Sequence, residues 1–374
     1  MNKKTSNPYL RDGVDVYLNT EDGDVTFVYL STRKRLHLRC HPILVQTLAL
    51  MTGKFSFEDI KSWIEDNNPQ NLPNNAFEKF LDYLISKNIV VNKNYIEDIN
   101  LPNEYKNFIV KQLNFLMDIL DSVKDVEKVQ QKIYNAKIAI FGIGAIGGWI
   151  GQQLAMMGFI NFKLFDFDIV ERTDKSRHCY YKHNEIGTEK TTVFADHLRS
   201  INPMINIESF NISLNIDTNL NDYLYDVDFI INAADEPYIG YTSLKLSRYC
   251  VSTLKPLFIA GGFDAHLASI GELIIPNVTP CSDCYANYFQ KALENWKPIV
   301  HPVENRSIAF GGINSMSVFS ASTSSLTILK YFINEENINE IGGRGEFLFP
   351  NYNLDTFEVY RNAECRVCKN KTAP

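Results

Sequence analysis

Apolar and polar positions alternate with a period of two near the start of the chain, and then with a period between three and four. Residues 14–38 hold VDVYL, then VTFVYL after the EDGD turn at Glu21 to Asp24, then RLHL; this pattern predicts three short strands. Helical spacing follows. Ser56 is placed to cap SFEDIKSWIEDN, and in NNAFEKFLDYLISKN the side chains of Phe77, Phe80, Leu81, Leu84 and Ile85 fall on one helical face. Asn88 suits a left-handed stop before a strand at Ile89 to Val91. These elements predict a small winged-helix-like α+β domain over residues 1–95. The polar stretch Asn92 to Lys106 reads as a linker.

From Lys137 the pattern changes to apolar runs separated by amphipathic segments: KIAIFG, a helix from Ala145 to Met157, NFKLFDFD, a helix around Lys190 to Ser200, INIESF, and DFIINAAD. Strands alternating with helices predict an α/β domain over residues 96–374, with a doubly wound, mostly parallel, Rossmann-like sheet. Its ligand belongs at the carboxyl ends of the strands.

Length and composition change this picture little. At 374 residues the chain has room for about two domains, and 45% apolar with 22% charged residues is an ordinary globular balance. The net charge of -7 argues against broad attraction to nucleic acid. The acidic Glu58, Asp59, Glu65, Asp66 and Asp82 argue against DNA binding by the front helices. No run of about 18 apolar residues is present, so a cytoplasmic protein without a membrane segment is expected.

The chemistry concentrates after residue 140. Gly142-Ile143-Gly144-Ala145-Ile146-Gly147 follows an apolar strand and opens a helix, where glycines let backbone amides approach a phosphate. Asp166, at the end of the next strand, can accept a hydrogen bond from a ribose hydroxyl of NAD or ATP. Arg177 and Lys190 come toward the same strand ends, and two cations beside a glycine turn suit a triphosphate better than a nicotinamide. Asp235, ending another strand, can hold Mg²⁺ against phosphates. Of the seven cysteines, Cys281, Cys284, Cys365 and Cys368 form two CxxC pairs, which together predict a closed tetrathiolate site for structural Zn²⁺. Cys40, Cys179 and Cys250 stand singly; Cys250 suits core packing and Cys179 lies beside Arg177.

These motifs, from about Lys106 to Lys369, resemble the ThiF/MoeB superfamily of ATP-dependent adenylating enzymes, the ubiquitin-activating-enzyme-like group. Its series of GxGxxG, DxDxV, an N-L-x-R-Q-like run, I-G-x-x-K, a strand-end Asp and two CxxC pairs is matched here by Gly142 to Gly147, Asp166/Asp168/Val170, Asp174 to His178, Ile186 to Lys190, Asp235 and the four cysteines. The resemblance implies that Asp166 holds the ribose and that Asp168 and Asp174 lie in the nucleotide site. It also implies that Arg177 and Lys190 stabilise charge on the transferring phosphoryl and that Asp235 binds Mg²⁺. Two positions depart from the pattern. Asp174 stands where the family has Asn, and the arginine finger that a neighbouring subunit supplies has no counterpart except Lys106 or Lys111. The borrowed finger implies a homodimer.

The front domain resembles PqqD-like peptide-recognition domains, so the whole looks like the peptide-modifying branch, similar to the microcin C and pantocin enzymes. KLSRYCVSTLKPLFIAGGF supports that likeness. The implied partner is a ribosomal precursor peptide whose leader adds to the edge of VTFVYL or VDVYL, with Phe77 and Leu81 lining the groove. The implied reaction is ATP- and Mg²⁺-dependent adenylation of a peptide carboxylate. The alternatives are activation of a sulfur-carrier protein through its terminal glycine, or a non-catalytic scaffold.

Overall fold

A computed structural model describes residues 7–19, 21–67, 72–73, 75–120, 122–178, 180–260, 268–295, 312–334 and 342–369. The chain separates into two compact units, Met1–Gln131 and Lys132–Pro374.

In the first unit, β1 (Pro8–Leu10), β2 (Val14–Asn19), β3 (Asp24–Tyr29) and β4 (Arg35–Arg39) precede three helices, α1 (Pro42–Thr47), α2 (Phe57–Asn67) and α3 (Ala76–Ser86), and then β5 (Val90–Asn92). The alternation of β3 buries Val25, Phe27 and Tyr29 against α1 and α3 residues including Ile43, Leu44, Phe77 and Leu81. Ser56 and Asp59 form a reciprocal cap on α2: the Asp59 amide donates to Ser56 Oγ at 3.1 Å and the Ser56 amide to Asp59 Oδ2 at 2.8 Å. Asn88 takes φ of 53°, the left-handed stop that the pattern predicts.

Three expectations change here. The VTFVYL strand cannot accept a peptide, because β3 is the middle of the order β2-β3-β4 and pairs on both sides. Among the described residues β2 keeps an open edge, with Tyr17 and Leu18 exposed at 62% and 49%. Phe77 and Leu81 are core residues, buried to 3% and 2%, and line no groove. The Asn92–Lys106 stretch is packed, with Tyr95, Ile99 and Tyr105 all buried.

Two further helices, α4 (Asn103–Phe108) and α5 (Val110–Ile119), group with this unit, although residue 95 was the expected boundary. Buried polar contacts explain the grouping. Arg11 pairs with Asp118, both side chains at 0% exposure, and donates from Nε to the Asn88 carbonyl at 3.0 Å. Asn88 Nδ2 donates to the Leu120 carbonyl at 2.6 Å. A buried pair of this kind fixes two segments together because separating them would strand a charge. Lys106 is also committed inside this unit: its Nζ donates to the carbonyls of Glu97 at 2.7 Å and Ile99 at 3.0 Å. That engagement removes it as a finger candidate, whereas Lys111 is exposed.

Helix α6 (Val123–Asn135) carries the chain into the second unit, where β6 (Lys137–Phe141), α7 (Gly147–Met156), β7 (Asn161–Phe165), α8 (Lys190–Ile201) and β8 (Asn206–Phe210) follow in turn. After them come α9 (Asn221–Leu224), β9 (Phe229–Asn232), α10 (Ile239–Thr253), β10 (Leu257–Ile259), β11 (Ala268–Ser269) and β12 (Glu272–Ile274). The unit ends with α11 (Ser282–Ala292), α12 (Asn314–Ile333), β13 (Gly342–Leu348) and β14 (Asn353–Val359). The main sheet has the order β12-β10-β9-β6-β7-β8. Its pairings are parallel except for β12, which runs antiparallel to β10. Strands covered on both faces need continuous apolar runs, and β9 is buried along its whole length. The strand order reverses direction at β6, so the crevice between the ends of β6 and β9 is the place where such a sheet takes a ligand. Strands β11, β13 and β14 form a second, antiparallel sheet, and α11 packs against α10 and β14. No described helix is long and apolar enough to cross a membrane.

Candidate nucleotide site and thiolate cluster

Strand β6 delivers its chain into a turn that only glycines allow at two points. Gly142 has φ of +86°, and a Cβ there would lie 2.6 Å from the Ala233 carbonyl at the end of β9. A Cβ on Gly147 would lie 1.9 Å from the Gly142 oxygen. Gly144 differs: nothing lies within 4 Å of the position a Cβ would take. The turn is therefore tight at its two ends, the second of which opens α7, and open at its middle, where a phosphate can approach the backbone.

Asp166 braces this turn. Its Oδ2 accepts from the Ile143 amide at 2.6 Å and its Oδ1 from the Asp168 amide at 2.9 Å. Burial pushes its carboxyl above the usual range, against those amides and the charge of Lys190. Two tyrosines hold the turn from the other side: Tyr181 Oη donates to the Ile143 carbonyl at 3.1 Å and Tyr180 Oη to that of Gly144 at 3.4 Å.

The loop after β7 returns as a short bridge, Ile169 opposite Glu189, which sets Lys190 at the start of α8. Lys190 Nζ lies 2.9 Å from Asp168 Oδ2 and 3.7 Å from Asp174 Oδ2. Burial alone would lower its ammonium, but the hydrogen bond to Asp168 and the charge of Asp174 outweigh it and raise it, so Lys190 stays cationic. Asp174 is buried to 3%, accepts the Glu171 amide at 2.9 Å, and has Arg177 Nη2 at 3.8 Å. The Asp that replaces the family's Asn is thus offset by Lys190 and Arg177. His178 Nδ1 lies 2.8 Å from the Asp174 carbonyl, and burial pushes this imidazole below its usual range. It is neutral at pH 7.

Asp166, Asp168, Asp174, Arg177 and Lys190 are therefore brought together beside Gly142 to Gly147. Asp235 is exposed, and no hydrogen bond or ion pair joins it to that group among the described residues, although Ala233, two residues before it, abuts Gly142. Asn232, which the sequence reading passed over, organises this strand end. Its Nδ2 donates to Thr242 at 3.0 Å and Ser243 at 3.1 Å, and its Oδ1 accepts the Ala234 amide at 3.2 Å. Tyr180 and Tyr181 were also not singled out, their only signal being an aromatic pair just past His178, which entered as the last residue of the Asp174 to His178 run. Cys179 lies outside the described residues, and Cys250 is fully buried as expected of packing.

The four paired cysteines meet. All four Sγ atoms lie within 4.8 Å of one another and all four residues are buried. Cys281 is 3.6 Å from Cys365, and Cys284 is 3.4 Å from Cys368. A tetrahedral zinc with Zn–S near 2.3 Å requires S···S separations of about 3.8 Å, so the donor set fits that ion. The hydrogen bond from Cys281 holds Cys284 down to about 5, while Cys281 itself is pushed up. All four could be thiolates together only around a cation.

The ThiF family profile matches residues 106–367. The chain belongs to the ThiF family. A ubiquitin-activating enzyme E1 of Triticum aestivum is 30% identical over 160 residues, which cover 41% of this ThiF-family chain and 15% of that protein. The adenylyltransferase and sulfurtransferase UBA4 of Lodderomyces elongisporus is 21% identical over 247 residues, 65% of this chain and 51% of that one. The chain spans about half or less of the length of these curated relatives. Among solved structures, MccB of Escherichia coli with ATP matches with a TM-score of 0.69 at 18% identity, over 97% of this chain and 99% of that one. PaaA matches with a TM-score of 0.69 at 17% identity, over 94% and 100%. Both share this chain's fold.

Proposed function

We propose that this ThiF-family chain adenylates a carboxylate of a ribosomally made precursor peptide, using ATP and Mg²⁺. The observation that carries the reading is the open middle of the glycine turn at Gly144 beside a buried Asp166, Lys190 and Asp174. Fold likeness across the whole chain, front unit included, supports it, because MccB has been solved with ATP and with its peptide MccA.

The residues divide the work by position. The Ile143 amide is held by Asp166, so the amides from Gly144 onward approach the phosphates, and Asp166 accepts from the ribose. Lys190 and Arg177 oppose the charge that grows on the α-phosphoryl oxygens when a peptide carboxylate attacks phosphorus and pyrophosphate leaves. Asp174 holds both cations in place. Asp235 would hold Mg²⁺, which supplies further neutralisation of the phosphates. The acyl adenylate then has AMP as its leaving group, so a nucleophile can attack the acyl carbon. The activated group is a Glu or Asp side chain or the peptide's C-terminus. A second subunit completes the site in this reading, as a homodimer.

The leader segment adds as a strand to the open edge of β2, where main-chain pairing supplies affinity and the exposed Tyr17 and Leu18 supply contacts. Fluorescence polarisation with labelled leader peptide and the full-length protein tests this. Tyr17→Ala combined with Leu18→Asp should weaken leader binding about tenfold while ATP binding persists. Unchanged leader affinity would rule out strand addition at β2, and AMP formation driven by a carrier protein ending in Gly-Gly would favour the carrier reading.

A further inference from the structure

The two cations beside the glycine turn are held in different ways. Lys190 is buried, and its ammonium is fixed directly, 2.9 Å from Asp168 Oδ2. The Arg177 side chain is 46% exposed and reaches Asp174 Oδ1 only at 3.8 Å, longer than a hydrogen bond. A half-exposed arginine has many rotamers open to it, so where its guanidinium reaches depends on how firmly its main chain is held.

That main chain is held from α7. The Arg177 amide donates to the Asp174 carbonyl at 3.0 Å, which closes the turn behind it. The Arg177 carbonyl accepts the indole N–H of Trp149 at 2.9 Å. The same N–H lies 3.1 Å from Oδ1 of Asn314, the first residue of α12, so one donor is shared between two acceptors. One turn further along α7, Gln153 Nε2 donates to Ser322 Oγ at 3.1 Å and binds the two helices again. The indole also packs edge-to-face on the Tyr180 ring, with centroids 6.5 Å apart. Tyr180 is itself buried, and its hydroxyl lies 1.6 Å from the place a Cβ would take on Gly148, the residue before Trp149. Tyr180 and α12 therefore hold the indole, and the indole holds Arg177.

We propose that Trp149 is a positioning residue for the phosphate cation: its indole N–H fixes the Arg177 main chain against the start of α12 and so sets the reach of the guanidinium. It acts through Arg177 rather than on the nucleotide. A cation displaced by about 1 Å from the charge growing on a phosphoryl group loses much of its effect on the transition state while still attracting bound nucleotide. The consequence for turnover rests on the adenylation reading; the link between the indole and bound nucleotide does not.

Two measurements keep these apart. Full-length, zinc-loaded protein with isotope-labelled tryptophan has three indole N–H resonances, one for each tryptophan, and Trp149→Phe identifies one by its loss. Without peptide, saturating ATP and Mg²⁺ should shift that resonance in wild type, and the shift should largely disappear in Arg177→Ala. A resonance that ATP leaves unmoved, or that moves equally in Arg177→Ala, overturns the proposal. In pyrophosphate exchange with precursor peptide, Trp149→Phe, which keeps a ring and removes the donor, should lower kcat about tenfold with KM for ATP within about twofold. Asn314→Ala should lower kcat about threefold, and Gln153→Ala, which loosens the same helix pair without touching Arg177, should leave it unchanged. Added to Arg177→Ala, Trp149→Phe should cost nothing more. Melting temperature verifies that each variant is folded. Unchanged kcat in both Trp149→Phe and Asn314→Ala, or a loss from Trp149→Phe that persists in the Arg177→Ala background, overturns the proposal. A wild type that exchanges no pyrophosphate, yet shows the Arg177-dependent shift, overturns the adenylation reading instead and supports the tie between indole and nucleotide.

Discussion

The thiolate cluster and the Lys190 cluster both gather charged or chargeable groups in the second unit, yet they are built to opposite ends. The cysteines approach one another from two distant stretches of chain, all four are buried, and the donor set closes on itself. Around Lys190 the groups are lopsided: Asp168 Oδ2 is 2.9 Å away, Asp174 is held by Arg177 on its other side, and the neighbouring glycine turn is open at Gly144. A closed set has nothing left to offer a substrate and serves the fold, whereas an open set with surplus donors serves chemistry.

The largest effect is expected at the cysteines. The purified protein should carry about one zinc per chain by metal analysis. Cys281→Ser or Cys365→Ser should unfold or aggregate it, because metal-binding free energy on the order of 10 kcal/mol is folding free energy in such sites. A folded, zinc-free protein would remove the closed set from the account. Next comes Lys190→Ala, which should lower AMP formation by about 10²- to 10³-fold with zinc content unchanged. Normal turnover in that variant would show that the open set is not the chemical one.

The glycines separate the two kinds of effect within one turn. Gly147→Ala places a methyl against the Gly142 oxygen and should destabilise the protein by about 2 kcal/mol in denaturant unfolding. Gly144→Ala should leave the unfolding midpoint unchanged and weaken ATP binding. Equal stability losses in both would mean that the middle of the turn is as crowded as its ends.

The smallest effect is expected far from both clusters. Burial would raise the Asp226 carboxyl, but hydrogen bonds from Lys137 and Lys163 outweigh it and hold it down to about 2. A depressed carboxylate stabilises the fold above its ordinary value near 4, and that contribution is lost as pH falls toward 2. Melting curves of wild type and Lys163→Met should therefore differ by about 2 °C at pH 6 and converge near pH 2.

What could be read from the sequence was local. Cysteines three residues apart, and glycines between a strand and a helix, identify themselves because their chemistry is decided by near neighbours along the chain. The alternating strands and helices after Lys137 were legible for the same reason. The Asn92–Lys106 stretch was misread as a linker because its anchors, Tyr95, Ile99 and Tyr105, are scattered among polar residues and are buried only in the folded unit. That VTFVYL pairs on both sides depends on which strands flank it, and strand periodicity carries no record of neighbours. Asn232, Tyr180 and Tyr181 act through hydrogen bonds between elements, and Glu272 meets Arg344 across 72 residues of sequence. Neither kind of contact leaves a spacing to recognise.

On the proposed reading, this ThiF-family chain moves AMP from ATP to a peptide carboxylate. Exchange of labelled pyrophosphate into ATP, with Mg²⁺ and with or without a leader-bearing precursor peptide, tests it most directly. Exchange should require the peptide's carboxylate and disappear in Lys190→Ala. Exchange that is absent with the peptide but appears with a carrier protein ending in Gly-Gly, or absent with both, would contradict it.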